Sequence, residues 1–170
     1  MRILISEVRA TLKLRLYGPA LITLFAIPDA AATVDYGLEK PPNRVRYTKW
    51  FNENVDPKAS GMNGEFAWLM RNALLHETAV NWRSAGVACD RVIISVPSAN
   101  GRLHNFSVME KGGKPAGVLD LGSLSDAILA GATAWLDQVD QDPERKARLD
   151  SMIQYRPNGV GPIGGFPIIT

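Results

Sequence analysis

The residues of this chain best suited to chemistry lie in one short run, Arg71-Asn72-Ala73-Leu74-Leu75-His76. Arginine is a permanent cation whose planar fork of donors fits phosphate, and histidine transfers protons near neutral pH. Cleavage of RNA by its own 2′-hydroxyl needs both: a base near neutrality and positive charge on the phosphate. Asn72 adds a hydrogen-bonding amide between them. The run therefore contains the functional groups of a metal-free ribonuclease site.

The spacing within the run affects how one chain can use it. On a straight α-helix Arg71 and His76 lie about 140° apart, whereas Asn72 and His76, four apart, share a side. Arg71 lies beside a second apolar stripe that contains Trp68 and Leu75. If that stripe is a two-fold interface, two arginines and two histidines converge in one cleft.

A structural role for the same residues is the alternative. Asp29 follows Pro28, which is expected to kink an apolar helix because proline removes an amide donor and crowds the preceding turn. A lone buried charge is costly, so we expect Asp29 to be substantially buried and bonded to a basic side chain or to free amides. In this interpretation Arg71 pairs with Asp29, and His76 caps the end of its helix.

The helix that carries the run is apolar on two sides, so it has two surfaces to pack against. We expect one surface to face the bundle and the other to form a homodimer. The first stripe contains Phe66, Leu69, Met70, Ala73 and Leu74, and the second contains Trp68, Leu75 and Ala79.

Composition excludes several other classes of site. The 170 residues are 46% hydrophobic and 21% charged, which is typical of one globular domain, here residues 1–170. A single cysteine, Cys89, excludes a disulfide framework, and with two histidines it excludes a Cys/His zinc site. Phosphate loops, dinucleotide fingerprints and nucleophile elbows are missing from the sequence. We therefore expect no cofactor and no metal.

Hydrophobic periodicity predicts helices in the first half of the chain. The segment 44–55 places Tyr47, Trp50 and Phe51 at helical spacing among basic residues. Aromatics interleaved with cations can stack bases, but at this spacing we interpret them as the core face of a helix. Asn63 is the expected cap of the next helix.

The second half of the chain predicts short strands and then two more helices. Strands are expected at 92–96, 103–109 and 118–121, with antiparallel pairing. Ser123 or Ser125 is the expected cap of the helix that follows, and Asp142-Pro143 begins the last one. The apolar residues of the tail, 156–170, predict that it lies against the domain.

The N-terminal segment imitates a secretory signal, since basic residues precede the apolar stretch 20–27. Its charged part is long and has the pattern of an amphipathic helix, so we expect it to belong to the fold. The chain has no run of about eighteen uncharged apolar residues. We therefore expect a cytoplasmic protein with no membrane partner.

Four segments resemble the landmarks of a large family of uncharacterised bacterial proteins, in order and spacing, from about residue 20 to the C-terminus. The run from Arg71 to His76 also resembles the Arg-x4–6-His signature of HEPN domains. The four segments are Ala26-Ile27-Pro28-Asp29, Arg46-Tyr47-Thr48-Lys49-Trp50-Phe51, Leu69-Met70-Arg71-Asn72-Ala73-Leu74-Leu75-His76-Glu77 and Tyr155-Arg156-Pro157-Asn158-Gly159.

HEPN domains are helical bundles, often dimeric, and many are metal-independent ribonucleases of defence and toxin–antitoxin systems. The resemblance implies a mainly α, HEPN-like bundle, here with a small antiparallel sheet inserted before the last two helices. It implies that Arg71, Asn72 and His76 are the catalytic residues of an endoribonuclease acting as a homodimer, with RNA as substrate and an antitoxin as a partner. The alternative is a non-catalytic interaction module with the same fold.

Overall fold

The helical part of the fold is built around one long helix, α2 (Tyr17–Tyr36). The computed structural model describes residues 1–37, 41–77, 91–109 and 115–170. Five of the other described helices contact α2, and the short helix α4 packs against α6. These helices are α1 (Arg2–Lys13), α3 (Asn43–Asn54), α4 (Pro57–Ser60), α5 (Gly64–Asn72), α6 (Leu121–Val139) and α7 (Pro143–Asp150).

The central position of α2 follows from its composition. Leu24, Phe25 and Ile27 are completely buried, and Pro28 lies inside the helix. A helix that is apolar all round needs neighbours on several sides. By length and composition α2 also qualifies as a candidate membrane span, although 44% of its most apolar window is buried inside the fold. Core helices and signal sequences meet the same criterion.

Aromatic side chains of α3 form the centre of the core. Tyr47, Trp50 and Phe51 are all completely buried. Trp50 meets Trp135 of α6 edge to face, with ring centroids 6.0 Å apart. The prediction that these aromatics are core residues is confirmed, and the base-stacking alternative is wrong because none of the three rings is accessible.

Capping side chains fix where three helices begin. Asn63 accepts the Phe66 amide at 2.9 Å and so starts α5, as predicted. Asp142 accepts the amide of Glu144 at 3.0 Å, and Pro143 takes the first position of α7. The expected serine cap of α6 is wrong. Asp120 caps that helix instead, because its buried carboxylate accepts the Ser123 amide at 2.7 Å.

A three-stranded sheet precedes α6 and α7, as predicted, but its pairing differs from the expectation. The order is β1-β3-β2, with β2 antiparallel and β1 parallel to β3. The entirely antiparallel sheet is therefore wrong for β1. Strand β3 is central and pairs on both edges. It is also the most buried of the three strands. The strands are β1 (Arg91–Ser95), β2 (Phe106–Met109) and β3 (Pro115–Asp120).

The tail pairs with itself instead of lying against the domain. Strands β4 (Tyr155–Arg156) and β5 (Ile168–Ile169) form a short antiparallel hairpin. Phe166 and Ile169 remain 68% and 74% exposed, so the prediction that the tail lies against the domain is wrong for them. The hairpin satisfies its own backbone groups, and its main-chain hydrogen bonds therefore require no surface of the domain.

Candidate functional site

The candidate site lies where the end of α5 meets the middle of α2. Helix α5 approaches α3 very closely at Gly64, where an added Cβ would come within 2.4 Å of the Thr48 carbonyl oxygen. Only glycine permits that approach. The close packing of α5 in turn sets the position of Arg71, one residue before the helix ends.

Arg71 makes an ion pair with Asp29 across the helix interface. The distance from its Nη2 to Asp29 Oδ2 is 2.6 Å, and the two side chains are only 16% and 22% exposed. A second nitrogen, Nη1, donates to Asn72 Oδ1 at 2.9 Å. The prediction that Asp29, beside Pro28, is largely buried and bonded to a basic side chain is confirmed.

Two aromatic rings form one wall of this cluster. The Arg71 guanidinium lies 5.2 Å from the centre of the Trp68 ring, close enough for a cation–π contact. Trp68 meets Tyr47 edge to face at 5.3 Å. Burial raises the pKa of the Tyr47 hydroxyl well above its usual value; Asp29 raises it further, and Arg71 opposes the shift. Tyr47 is therefore a neutral donor, 3.4 Å from the Phe25 carbonyl.

The hydrogen bonding of Arg71 is incomplete. Its Nε is buried and has no acceptor among the residues that the structure describes. A guanidinium carries five N–H donors, and the contacts with Asp29 and Asn72 use two of them. A buried donor without an acceptor is costly and calls for an explanation. The contacts with Asp29 and Asn72 hold the guanidinium in one orientation.

A π-turn (Ala73–Glu77) follows α5 directly. Its hydrogen bonds run five residues back instead of four, and such turns occur frequently at functional sites. A π-turn winds less per residue than an α-helix, so position 76 lies closer in angle to position 71 than on a straight α-helix. The side chain of His76 lies outside the described residues.

The three residues predicted to form a homodimer have different surroundings. Leu75 is 39% exposed, while Trp68 is half-buried against Tyr47 and Arg71 of its own chain. Ala79 lies outside the described residues, as does Cys89. The homodimer stays a prediction, and only part of the Trp68 ring is open to a second subunit.

A second acid–arginine–tryptophan cluster lies at the C-terminal end of α2 and was not predicted. Asp35 accepts the Trp135 Nε1–H at 2.9 and 3.0 Å, and its Oδ1 lies 2.6 Å from Nη2 of Arg145. These three residues border an open cavity of about 380 Å³. No sequence pattern connects positions 35, 135 and 145, because only the packing of α6 and α7 on α2 brings them together.

The other histidine, His104, forms hydrogen bonds within the fold through both ring nitrogens. Its Nδ1 accepts the Asp120 amide at 3.0 Å, so its proton is on Nε2, which lies 2.9 Å from the Ala59 carbonyl oxygen. Both ring nitrogens are therefore occupied, and the ring connects α4 to the beginning of α6. No cluster of three His, Cys, Asp or Glu side chains that could hold a metal occurs among the described residues.

Comparisons with known proteins found no match for this chain. No family model, no curated protein and no solved structure matches the chain. The resemblance to HEPN domains and to the bacterial family therefore stays a prediction.

Proposed function

We propose that this protein is a metal-independent endoribonuclease that acts as a homodimer, with Arg71, Asn72 and His76 as its catalytic residues. The observation that carries the proposal is the π-turn immediately after Asn72. It reduces the angular separation between positions 71 and 76, which was the main geometric objection to a shared site. Arg71 is held at two of its nitrogens while part of its side chain remains exposed, which supports the same proposal.

The proposed reaction is an attack of the RNA 2′-hydroxyl on the adjacent phosphate. One histidine takes the proton of that hydroxyl while the new 2′-oxygen–phosphorus bond forms. The bond from phosphorus to the 5′-oxygen breaks, and His76 of the other copy returns a proton to the leaving oxygen. Arg71 stabilises the additional negative charge of the phosphorane-like transition state. This chemistry needs acid–base and charge-stabilising groups and leaves a 2′,3′-cyclic phosphate.

Asp29 and Asn72 act on Arg71 in this scheme. Asp29 fixes one edge of the guanidinium, and the Asn72 carbonyl oxygen accepts from the other terminal nitrogen. A planar fork held at two points loses little freedom when a phosphate binds. Asp29 is therefore a positioning residue, and its negative charge also limits how strongly Arg71 attracts RNA.

The proposal is tested by incubating purified protein with several single-stranded RNAs in excess EDTA. We expect cleavage to continue and the products to carry 2′,3′-cyclic phosphate ends. Uncut RNA at every sequence tested, with protein that is folded and dimeric, would overturn it. Cleavage that EDTA abolishes would contradict the proposed metal independence.

A second function, a non-catalytic interaction module, is favoured by the ion pair itself. Asp29 neutralises Arg71 in a site where both side chains are mostly buried. Removal of either partner from such a pair destabilises a fold, so the pair has a sufficient structural reason to exist. In this case RNA stays intact, and the face around Trp68 and Leu75 binds a protein partner such as an antitoxin.

A further inference from the structure

The corner between α1 and α2 exposes aliphatic side chains. Leu14 and Leu16 are 68% and 48% exposed, and Ile22, in the second turn of α2, is 41% exposed. Single apolar residues on a surface are common, but three exposed aliphatic residues within positions 14–22 are a candidate patch. Because α1 packs its buried residues Ile5 and Val8 inward, the corner itself is not needed to cover the core.

Exposed basic residues lie next to these leucines in the sequence. Arg9, Lys13 and Arg15 are exposed and make no ion pair with any residue that the structure describes. Residues 1–22 contain four basic residues and one acidic residue, a net charge of +3. The other 148 residues have 15 basic and 16 acidic side chains, a net charge of −1. The positive charge of the chain is thus concentrated at the end that carries the exposed leucines.

The corner is held firmly by backbone hydrogen bonds. The Leu14 amide donates to the Ala10 carbonyl at 3.0 Å, and the Leu16 amide donates to the Thr11 carbonyl at 2.8 Å. Between them Arg15 adopts a left-handed conformation, with φ at 59°. Glycine is the residue that usually ends a helix in this conformation. An arginine stands there at a conformational cost, which is explained if its charge serves another purpose.

We propose that this corner binds the surface of a lipid bilayer that contains anionic lipids. Leu14 and Leu16 enter the boundary between headgroups and acyl chains, while Lys13 and Arg15 contact lipid phosphates. The aliphatic patch favours lipid over RNA, because single-stranded RNA is bound by aromatic side chains on which bases stack. The binding is peripheral and needs no spanning segment. It differs from the sequence-based expectation of no membrane partner, which considered spanning segments alone.

The test is co-sedimentation of the full chain with phosphatidylcholine vesicles, with and without phosphatidylglycerol. We expect binding only to the anionic vesicles. The double variant Leu14→Ser/Leu16→Ser should weaken binding about tenfold or more, because it removes the inserted apolar surface. Lys13→Gln should weaken it about fivefold, the effect of one cation near an anionic surface. A double variant of two more exposed isoleucines near the C-terminus, Ile153→Ser/Ile169→Ser, is the matched control and should bind normally.

Arg15→Gly separates binding from folding. Glycine relieves the left-handed strain, so the melting temperature should stay equal or rise while vesicle binding falls about fivefold. Equal binding to neutral vesicles would overturn the proposal, as would leucine variants that bind normally. Displacement by RNA with unaffected leucine variants would show an RNA surface instead. Vesicle binding that alkaline carbonate cannot remove would show integration through α2. A wild type that binds no vesicles, together with leucine variants that lose a wild-type dimer, would show that the corner serves self-association.

Discussion

Two clusters on the same helix contain the same three residue types but differ in how completely their side chains are hydrogen-bonded. Asp29 and Asp35 of α2 each pair with an arginine at 2.6 Å, and each arginine lies near a tryptophan ring. In both pairs the side chains are less than a quarter exposed. On burial and charge alone, neither cluster stands out as the functional one.

Hydrogen bonding distinguishes the two clusters. Both oxygens of Asp35 are bonded to the Trp135 indole, and Arg145 reaches Asp35 with Nε as well as a terminal nitrogen. The Arg71 Nε, by contrast, is buried without an acceptor among the described residues. The Asp35 cluster has no buried polar side-chain atom without a partner, which suits a connection between helices, whereas the Asp29 cluster retains one buried donor whose cost calls for an explanation. We therefore expect the Asp35 cluster to stabilise the fold, and we keep the proposed chemistry at the Asp29 cluster.

The largest expected effect separates the two histidines. His76→Ala should lower the rate of RNA cleavage about 10²- to 10⁴-fold, the usual contribution of a general acid or base. His104→Ala is the matched control, because both nitrogens of His104 are used by the fold. It should lower the melting temperature and leave the cleavage rate per folded molecule nearly unchanged. If His76→Ala unfolds the domain and His104→Ala does not, then His76 is structural and the assignment is wrong.

The next effect concerns assembly through the face beside the Asp29 cluster. Light scattering should report a dimer at tens of micromolar protein, roughly the range in which modest interfaces persist. Trp68→Glu should dissociate it, because a charge buried at an interface without a partner is costly. Since Trp68 also packs against Tyr47, the variant must be shown to be folded by circular dichroism. A monomeric wild type would contradict the proposed site shared between two copies.

Stability should rank the two aspartates in the opposite order to activity. Asp35→Ala should lower the free energy of unfolding by about 2–4 kcal/mol, because it leaves the buried Trp135 indole and Arg145 without their acceptor. Asp29→Ala should lower it by about 1–3 kcal/mol. Urea denaturation measures both values.

The cleavage rate per folded molecule completes this test. It should fall about tenfold in Asp29→Ala, because Arg71 loses its orientation, and should stay unchanged in Asp35→Ala. A larger loss of stability in Asp29→Ala, with no change in cleavage, would show that the Asp29 cluster is the structural one.

The smallest effect is expected at Tyr47. Its hydroxyl lies 3.4 Å from the Phe25 carbonyl oxygen, so Tyr47→Phe should cost about 0.5–1 kcal/mol at neutral pH. Because the pKa of Tyr47 is raised in the folded state, its stability contribution is fully present below about pH 10, the pKa of an unfolded tyrosine. The contribution is lost as the pH rises toward the folded-state pKa. Tyr47→Phe should therefore flatten the alkaline loss of stability, and an unchanged slope would contradict this.

Local chemistry in the sequence was a good guide to the elements of the fold. Asn63 and Asp142 were predictable as caps because a capping side chain bonds to amides two or three residues away. The Asp29 contact was predictable because an acid beside a proline kink in an apolar helix needs a partner. These predictions depend on a few neighbouring residues or on the cost of an unpaired charge.

The sequence pattern did not predict which distant residues pair or where the backbone departs from regular helix. The alternation that predicts a strand does not specify its partner, so the parallel pairing of β1 with β3 was missed. The π-turn after Asn72 has no composition signal, since its five residues are ordinary helix formers. The Asp35 cluster joins residues about one hundred positions apart. The distinction between the two clusters thus needed the fold.

The single-turnover rate of RNA cleavage in EDTA, measured for Arg71→Lys, Arg145→Lys and the wild type, decides which of the two clusters carries the chemistry. Both variants keep the charge and replace a planar fork with a point charge. We expect Arg71→Lys to lower the rate about 10²- to 10³-fold, the scale of a lost transition-state donor, and Arg145→Lys to change it by about threefold at most. Equal rates for the two variants would contradict the claim that the Asp29 cluster carries the chemistry.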